Sequence, residues 1–114
     1  MIRQTVETAA GRRVDAPLPL PAGVSVRRGA WIPVLGGRLS RMNGPAAAVT
    51  LGRTIIVHPS AHLTERLLRH ELAHVRQWRR RPFAFPLQYL WNHIRYGYRE
   101  NPYEIEAREA ETAP

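Results

Sequence analysis

The segment His70-Glu71-Leu72-Ala73-His74 has the clearest capacity for chemistry in this sequence. Residues four apart on a helix stand one above the other, so both imidazoles can reach a single ion from the same face. Neutral imidazole is a good ligand for zinc. Glu71 lies about 100° around the helix from His70, where it can hold a water in the ion's open position rather than the ion itself. Zinc brings such a water's pKa near neutrality, and the carboxylate takes its proton as it attacks a carbonyl. The pattern is HExxH, with His70 and His74 as metal ligands and Glu71 as the general base.

A third ligand is required, and composition narrows the search for it. The chain has 114 residues and no cysteine, which excludes disulfide scaffolds, zinc ribbons, thiol catalysis and iron–sulfur clusters. Only the five histidines and nine carboxylates remain as strong ligands. The longer pattern HExxHxxGxxH is absent, because Val75-Arg76-Gln77-Trp78 follows His74. Carboxylates are available downstream in Asn101-Pro102-Tyr103-Glu104-Ile105-Glu106-Ala107. Asn101 and Glu104 also have the spacing of a capping box, in which Glu104 turns back on its own helix and Glu106 is the ligand instead. His58, His62 and His93 read as structural or surface residues. Tyr103 and His93 are the candidate donors to an oxyanion, with Tyr96 and Tyr98 near them in sequence.

These residues need elements to position them. Ala16-Pro17-Leu18-Pro19-Leu20-Pro21 cannot form a helix, so residues 1–25 read as an extended proline-rich arm, and residues 26–114 as a single domain. Between Val24 and Arg41, short apolar pieces broken by Gly29 and Gly36-Gly37 suggest short strands, Trp31–Leu35 among them. Ala48–Leu51 and Thr54–Val57 flank Gly52-Arg53 as a tight hairpin. Ser60 offers an N-cap, and a helical period runs from about 61 to 81, with leucines and both HExxH histidines on one broad side and arginines on the other. A second, aromatic helix is expected over Leu87–Tyr96, ending near Gly97. A third is expected over about 102–110, after an Asn cap and a proline at the first helical position. The fold class is therefore α+β, a small antiparallel hairpin or sheet followed by about three helices.

With HExxH on one helix and Glu-x-x-Ala on a later one, the sequence resembles the gluzincin metallopeptidases. More narrowly, it is similar to small bacterial HExxH proteins of the DUF4157 type and to the single-domain minigluzincins. The likeness rests on Thr50–Ile55, His70–Gln77 and Asn101–Ala107, within about residues 45–110. It implies a minimal zincin-like domain, a Zn2+ cofactor, Glu104 as third ligand, and Ala107 as the small residue that lets two helices approach. Gluzincins commonly carry an aspartate four residues after that glutamate to orient a ligand histidine. Arg108 stands there in this chain, and Glu109 is the nearest acid.

Seventeen arginines without a lysine give a formal charge of +8, which suits an anionic partner. Arg76, Arg79, Arg80 and Arg81 run into an aromatic stretch ending at Trp91. The arginines read as the solvated back of the HExxH helix and the aromatics as core between helices, with peripheral membrane contact left open. No zinc-finger, RRM or homeodomain signature points to a specific nucleic acid. The longest uncharged run, Pro82–Ile94, is shorter than the roughly 20 residues of a membrane span. Met1–Val14 has no apolar core of a leader, so a cytoplasmic location is expected. The expected activity is zinc-dependent cleavage of a peptide or protein, with the strand Thr54–Val57 pairing an extended substrate and the arm or the Glu109–Pro114 tail able to occupy the cleft. The alternatives are a catalytically inactive zinc-binding interaction module with a basic surface and, more distantly, a nucleic-acid-binding protein. Oligomeric state is not specified by the sequence.

Overall fold

A computed structural model of the chain describes residues 7–8, 11–13, 15–39 and 46–113. The strands are β1 (Glu7–Thr8), β2 (Gly11–Arg13), β3 (Ser25–Arg28), β4 (Ala48–Leu51) and β5 (Thr54–Val57), and the helices α1 (Trp31–Leu39), α2 (Glu65–Arg80), α3 (Ala84–Glu100) and α4 (Pro102–Ala110). The fold is α+β.

The hairpin forms as its sequence directs. Leu51 pairs with Thr54 across Gly52-Arg53, and Gly52 takes the left-handed backbone (φ +63°) that a two-residue loop demands. The sheet order is β1-β2-β3-β5-β4. It is mixed rather than antiparallel, because β3 runs parallel to β5 with Val26 opposite Ile55. The chain crosses over through α1 and β4 before returning as β5, so the β-branched strand lands in the middle. Val26, Ile55 and Val57 are consequently almost wholly buried, with Leu68 and Val75 of α2 completing the core. A central β5 has no free edge, so it cannot pair a substrate strand as the sequence suggested. Among the described strands the edges are β1 and β4, and β4 is the edge strand next to β5.

Two further expectations are corrected. Trp31–Leu35 is helical, not extended: it lies in α1, where Pro33 falls in the first turn and loses no helical hydrogen bond. Gly36 sits inside that helix rather than in a turn. A Cβ there would stand 2.9 Å from Val49 Cγ2, so the missing side chain lets α1 close on β4. The HExxH helix starts later than its period suggests. Thr64 is its cap, accepting from the Leu67 N–H at 3.0 Å, while Ser60 pairs with His58 Nδ1 at 2.7 Å. In the proline-rich segment the prolines face outward and Leu18 and Leu20 pack against the core.

α3 is longer than expected, broken only near its end where Gly97 adopts φ +82°. Phe85 is buried, with its ring 5.2 Å from Trp78 and 4.9 Å from Tyr103. Phe83 and Trp91 depart from the core reading, at 88% and 61% exposed. Among the described residues no helix is long and apolar enough to cross a membrane.

Candidate metal centre

His70 and His74 stand a turn apart on the buried side of α2, and Glu104 reaches them from the first turn of α4. One oxygen of Glu104, Oε1, lies 3.0 Å from His70 Nε2 and 3.2 Å from His74 Nε2. The three side chains are all buried, and one ligand atom of each lies within 4.8 Å of the others.

The local sequence explains how Glu104 comes to be free for this. Asn101 caps α4 by itself: its Oδ1 accepts from the Tyr103 N–H at 3.0 Å. Its Nδ2 donates to the Tyr89 carbonyl at 3.2 Å, so the cap is anchored to α3. Glu104 does not close a capping box. Ala107, one turn on, is fully buried and offers no bulk to hold α4 away from α2. Glu106 lies elsewhere. It accepts from Gln77 Nε2 at 2.7 Å and from an Arg80 guanidinium nitrogen at 2.8 Å, on the half-exposed flank of the two helices.

The far nitrogens of both imidazoles are also held. His70 Nδ1 donates to Glu111 Oε2 at 2.8 Å, and Glu111 Oε1 accepts from Arg66 Nε at 2.6 Å. His74 Nδ1 donates to Gln77 Oε1 at 2.7 Å, and Gln77 donates onward to the Tyr103 carbonyl. The acid that sequence comparison sought at position 108 or 109 is thus found at 111. Arg108 instead donates to the Arg99 carbonyl, and Glu109 is exposed. Glu111 was missed because it lies beyond α4, where the chain turns back along α2 and the Ala113 carbonyl accepts from Arg69 at 3.1 Å. That turn also keeps the described part of the tail, 109–113, off the cavity.

Glu71 projects to the same cavity from a different angle, and its Oε1 accepts from Thr50 Oγ1 of β4 at 2.8 Å. The cavity holds about 290 Å³, with Glu71, His70, His74 and Glu104 in its wall and Val49, Trp78, Phe85 and Leu90 giving it a largely apolar lining. Tyr89 closes one side. Its hydroxyl donates to Glu104 Oε2 at 2.5 Å, and its ring stacks on His93, with centroids 6.4 Å apart. Of the two sequence candidates for an oxyanion donor, His93 lines the cavity, whereas Tyr103 turns away and donates to Gln88 Oε1. Tyr98 lines the cavity as well, and Tyr96 does not. Tyr89 went unnoticed in the sequence, although Phe85, Tyr89 and His93 recur every four residues and so share one face of α3.

The electrostatics follow from crowding acids and imidazoles out of water. Burial opposes ionisation of Glu104, but hydrogen bonds from His70, His74 and Tyr89 outweigh it and hold its carboxyl far below the usual range. Burial equally disfavours the His74 cation, yet Glu104 and Glu71 lift that imidazole to about 9, and His70 is raised by the same neighbours. Glu71 is pushed up, chiefly by burial. Tyr89 and Tyr98 are driven upward by burial and by the Glu104 charge.

The donor set suits a divalent ion of zinc's type. Two imidazoles and a carboxylate oxygen are a recognised three-ligand set, and bonds of about 2.0–2.1 Å in a tetrahedron separate ligand atoms by about 3.3–3.4 Å. The 3.0 and 3.2 Å separations are close to that. In metal-free protein, protons on both Nε2 atoms fill the same role. With each Nδ1 committed to its own acceptor, each Nε2 is left facing Glu104.

Comparison with known proteins gives one match. The sequence pattern of the eCIS core domain family fits residues 37–82. The chain is similar to that family there. The matched stretch holds the β4–β5 hairpin and the HExxH helix and stops short of Glu104. No curated protein and no solved structure matches the chain.

Proposed function

We propose that this domain is a minimal zinc-dependent metallopeptidase of gluzincin type, with His70, His74 and Glu104 as ligands and Glu71 as general base. The observation that carries the proposal is the meeting of the HExxH imidazoles with a carboxylate from another helix, each imidazole oriented through its Nδ1 by a separate acceptor. A bound zinc ion supplies Lewis acidity to a substrate carbonyl and lowers the pKa of a coordinated water.

The remaining work belongs to side chains of this protein. Glu71, its pKa raised by burial, is a stronger base than an exposed carboxylate and is suited to take a proton from the attacking water and return it to the leaving amine. Thr50 keeps the Glu71 carboxylate aimed into the cavity. Tyr89 and His93 also line the cavity, and Tyr89 rather than Tyr103 is the candidate donor to charge developing on a carbonyl oxygen, once its hydroxyl turns from Glu104. The open edge of β4 offers main-chain hydrogen bonds to an extended peptide, although the Thr50 carbonyl is already occupied by the Trp78 indole at 3.2 Å. The apolar lining favours substrates with a large apolar side chain beside the scissile bond.

Metal analysis of purified protein, followed by Glu71→Gln, tests the proposal. Wild type should carry one zinc per chain and cleave a denatured protein substrate, and the variant should keep the zinc and lose the cleavage. Zinc-loaded wild type without cleavage would favour the inactive zinc-binding module, and protein that binds no zinc would exclude both.

A further inference from the structure

α3 has two apolar faces, and only one of them is used inside the fold. Phe85, Tyr89 and His93 turn inward to the cavity. Phe83, Leu87, Leu90, Trp91 and Ile94 fall within about 100° of the helix circumference on another side, and each is more than half exposed. A stripe of this length is far more than scattered surface apolar residues. Leu90 belongs to both the stripe and the cavity wall, so the stripe runs to the mouth of the site.

The charges along the sequence on either side of the stripe are positive as far as Arg99, with Glu100 closing α3. No aspartate or glutamate occurs between Leu72 and Arg99, whereas Arg76, Arg79, Arg80, Arg81, Arg95 and Arg99 all do. Arg79 and Arg81 lie exposed just ahead of Phe83, and Arg95 follows Ile94 along the helix. The Arg95 guanidinium rests over the Tyr96 ring, 5.2 Å from its centroid. Glu104 and Glu106 of α4, and Glu111 just beyond it, face α2, at the imidazoles, Gln77, Arg80 and Arg66. Tryptophan, phenylalanine and leucine on one face with arginine at its borders are what an interfacial helix presents to a negatively charged bilayer.

We propose that α3 docks this domain onto an anionic lipid surface, the Phe83–Ile94 stripe entering the headgroup region and Arg79, Arg81 and Arg95 pairing with lipid phosphates. The cavity mouth beside Leu90 then faces the bilayer, which suits a substrate presented at or near the membrane. The docking does not depend on the metal reading, because His70, His74 and Glu104 lie outside the stripe, and metal-free protein should bind equally well.

Cosedimentation of the 114-residue chain with vesicles of phosphatidylcholine alone, or of equal parts phosphatidylcholine and phosphatidylglycerol, tests this. The protein should pellet with the mixed vesicles only and be released by salt. Leu87→Glu and Ile94→Glu, both at exposed positions, should abolish pelleting while leaving circular dichroism unchanged. Arg79→Gln with Arg81→Gln should weaken it about 25-fold, about fivefold for each arginine. No association with anionic vesicles at low salt would overturn the proposal. So would pelleting that survives both glutamate variants, since the arginines alone would then account for it. Self-association in sedimentation equilibrium that is lost on Leu87→Glu would also overturn it, naming a second copy as the occupant.

Discussion

Replacing Glu111 tests whether the site is built from its outer partners inward. Glu111→Ala removes the carboxylate that holds His70 Nδ1 at 2.8 Å and Arg66 Nε at 2.6 Å. The Glu111 side chain is only 17% exposed, so its bond to the imidazole is a partly shielded, charge-assisted one, a class worth about 1.5–3 kcal/mol. Water reaches the vacated Nδ1 and restores part of this. Loss of such an orienting partner weakens metal affinity by about 10–100-fold, or about 1.4–2.7 kcal/mol, and the residual exposure places Glu111→Ala in the lower half of that range. Glu111→Gln keeps an acceptor without its charge and should lose less, on the order of threefold to tenfold. Arg66 is 71% exposed, so Arg66→Gln should cost less than about 1 kcal/mol. Glu106→Gln changes the same group on the half-exposed flank and should leave zinc affinity unaltered. Competition with a chromophoric chelator at fixed pH measures all four, with circular dichroism as the control for folding. Glu111→Ala within threefold of wild type, or Glu106→Gln as damaging as Glu111→Ala, would refute the assigned orientation.

Other expectations follow from the same geometry. Stripped of metal, the protein gains stability from protonated His74 up to about pH 6.5 and loses it as pH rises through about 9. Glu104 contributes above about pH 4.5 and loses that contribution on acidification. Thermal melts in chelator should therefore peak between those limits, and zinc should move the peak upward, because the metal competes with the protons it displaces; a metal-free protein most stable at pH 9 would contradict this. Thr64→Ala should cost about 1 kcal/mol in urea unfolding as the loss of a helix cap, while Ser60→Ala leaves the start of α2 intact. Gly36→Ala gains helix propensity but drives a methyl against stiff Val49 at 2.9 Å, and it should destabilise by about 1 kcal/mol. A stabilised Gly36→Ala protein would show that α1 does not close on β4 this tightly.

The parts of the fold written in short-range sequence were the legible ones. The hairpin announces itself by two β-branched runs around Gly52-Arg53, and α2 by a leucine and histidine period unbroken by glycine or proline. α4 announces itself by Asn101-Pro102 at its start. α1 does not. Trp31–Leu39 contains a proline and two glycines, and it becomes helical because Pro33 falls in the first turn and Gly36 meets β4, a contact no local rule contains. The parallel pairing of β3 with β5 is equally a property of the whole chain. In the site, HExxH fixes three residues by spacing alone, whereas choosing Glu104 over Glu106 needed the resemblance or the structure. Tyr89, Glu111 and Gln77 depend on how α3, the tail and α2 come together. A hydrogen-bonding side chain on a partner element has no periodic signature, which is why the orienting partners were the least readable.

The same geometry makes α4 the element whose order depends most on the site. The apolar core is made by β3, β5 and α2, and the buried residues within α4 are Glu104 and Ala107. Ala107 adds about one methyl of burial, near 0.8 kcal/mol, and the exposed Arg80–Glu106 pair adds at most about 1 kcal/mol. Docking of α4 therefore rests on Glu104 between two imidazoles, together with the Tyr103 ring against Phe85, the Asn101 cap and the Gln77 bond to the Tyr103 carbonyl. Without metal, the Glu104 contacts require protons on His70 and His74. Zinc would hold the same three residues without those protons, so loading it should tighten α4 selectively. Amide exchange at one pH, slightly alkaline, with and without zinc should show this directly. At a free zinc concentration about 100 times its Kd, α4 amides should slow by up to about 100-fold, equivalent to about 2.7 kcal/mol. Amides of β5, held by the core, should change little at times when only local opening contributes. Equal slowing in β5 and α4 would mean that the helix opens only with the whole domain, and that the core rather than the Glu104 bridge keeps it docked.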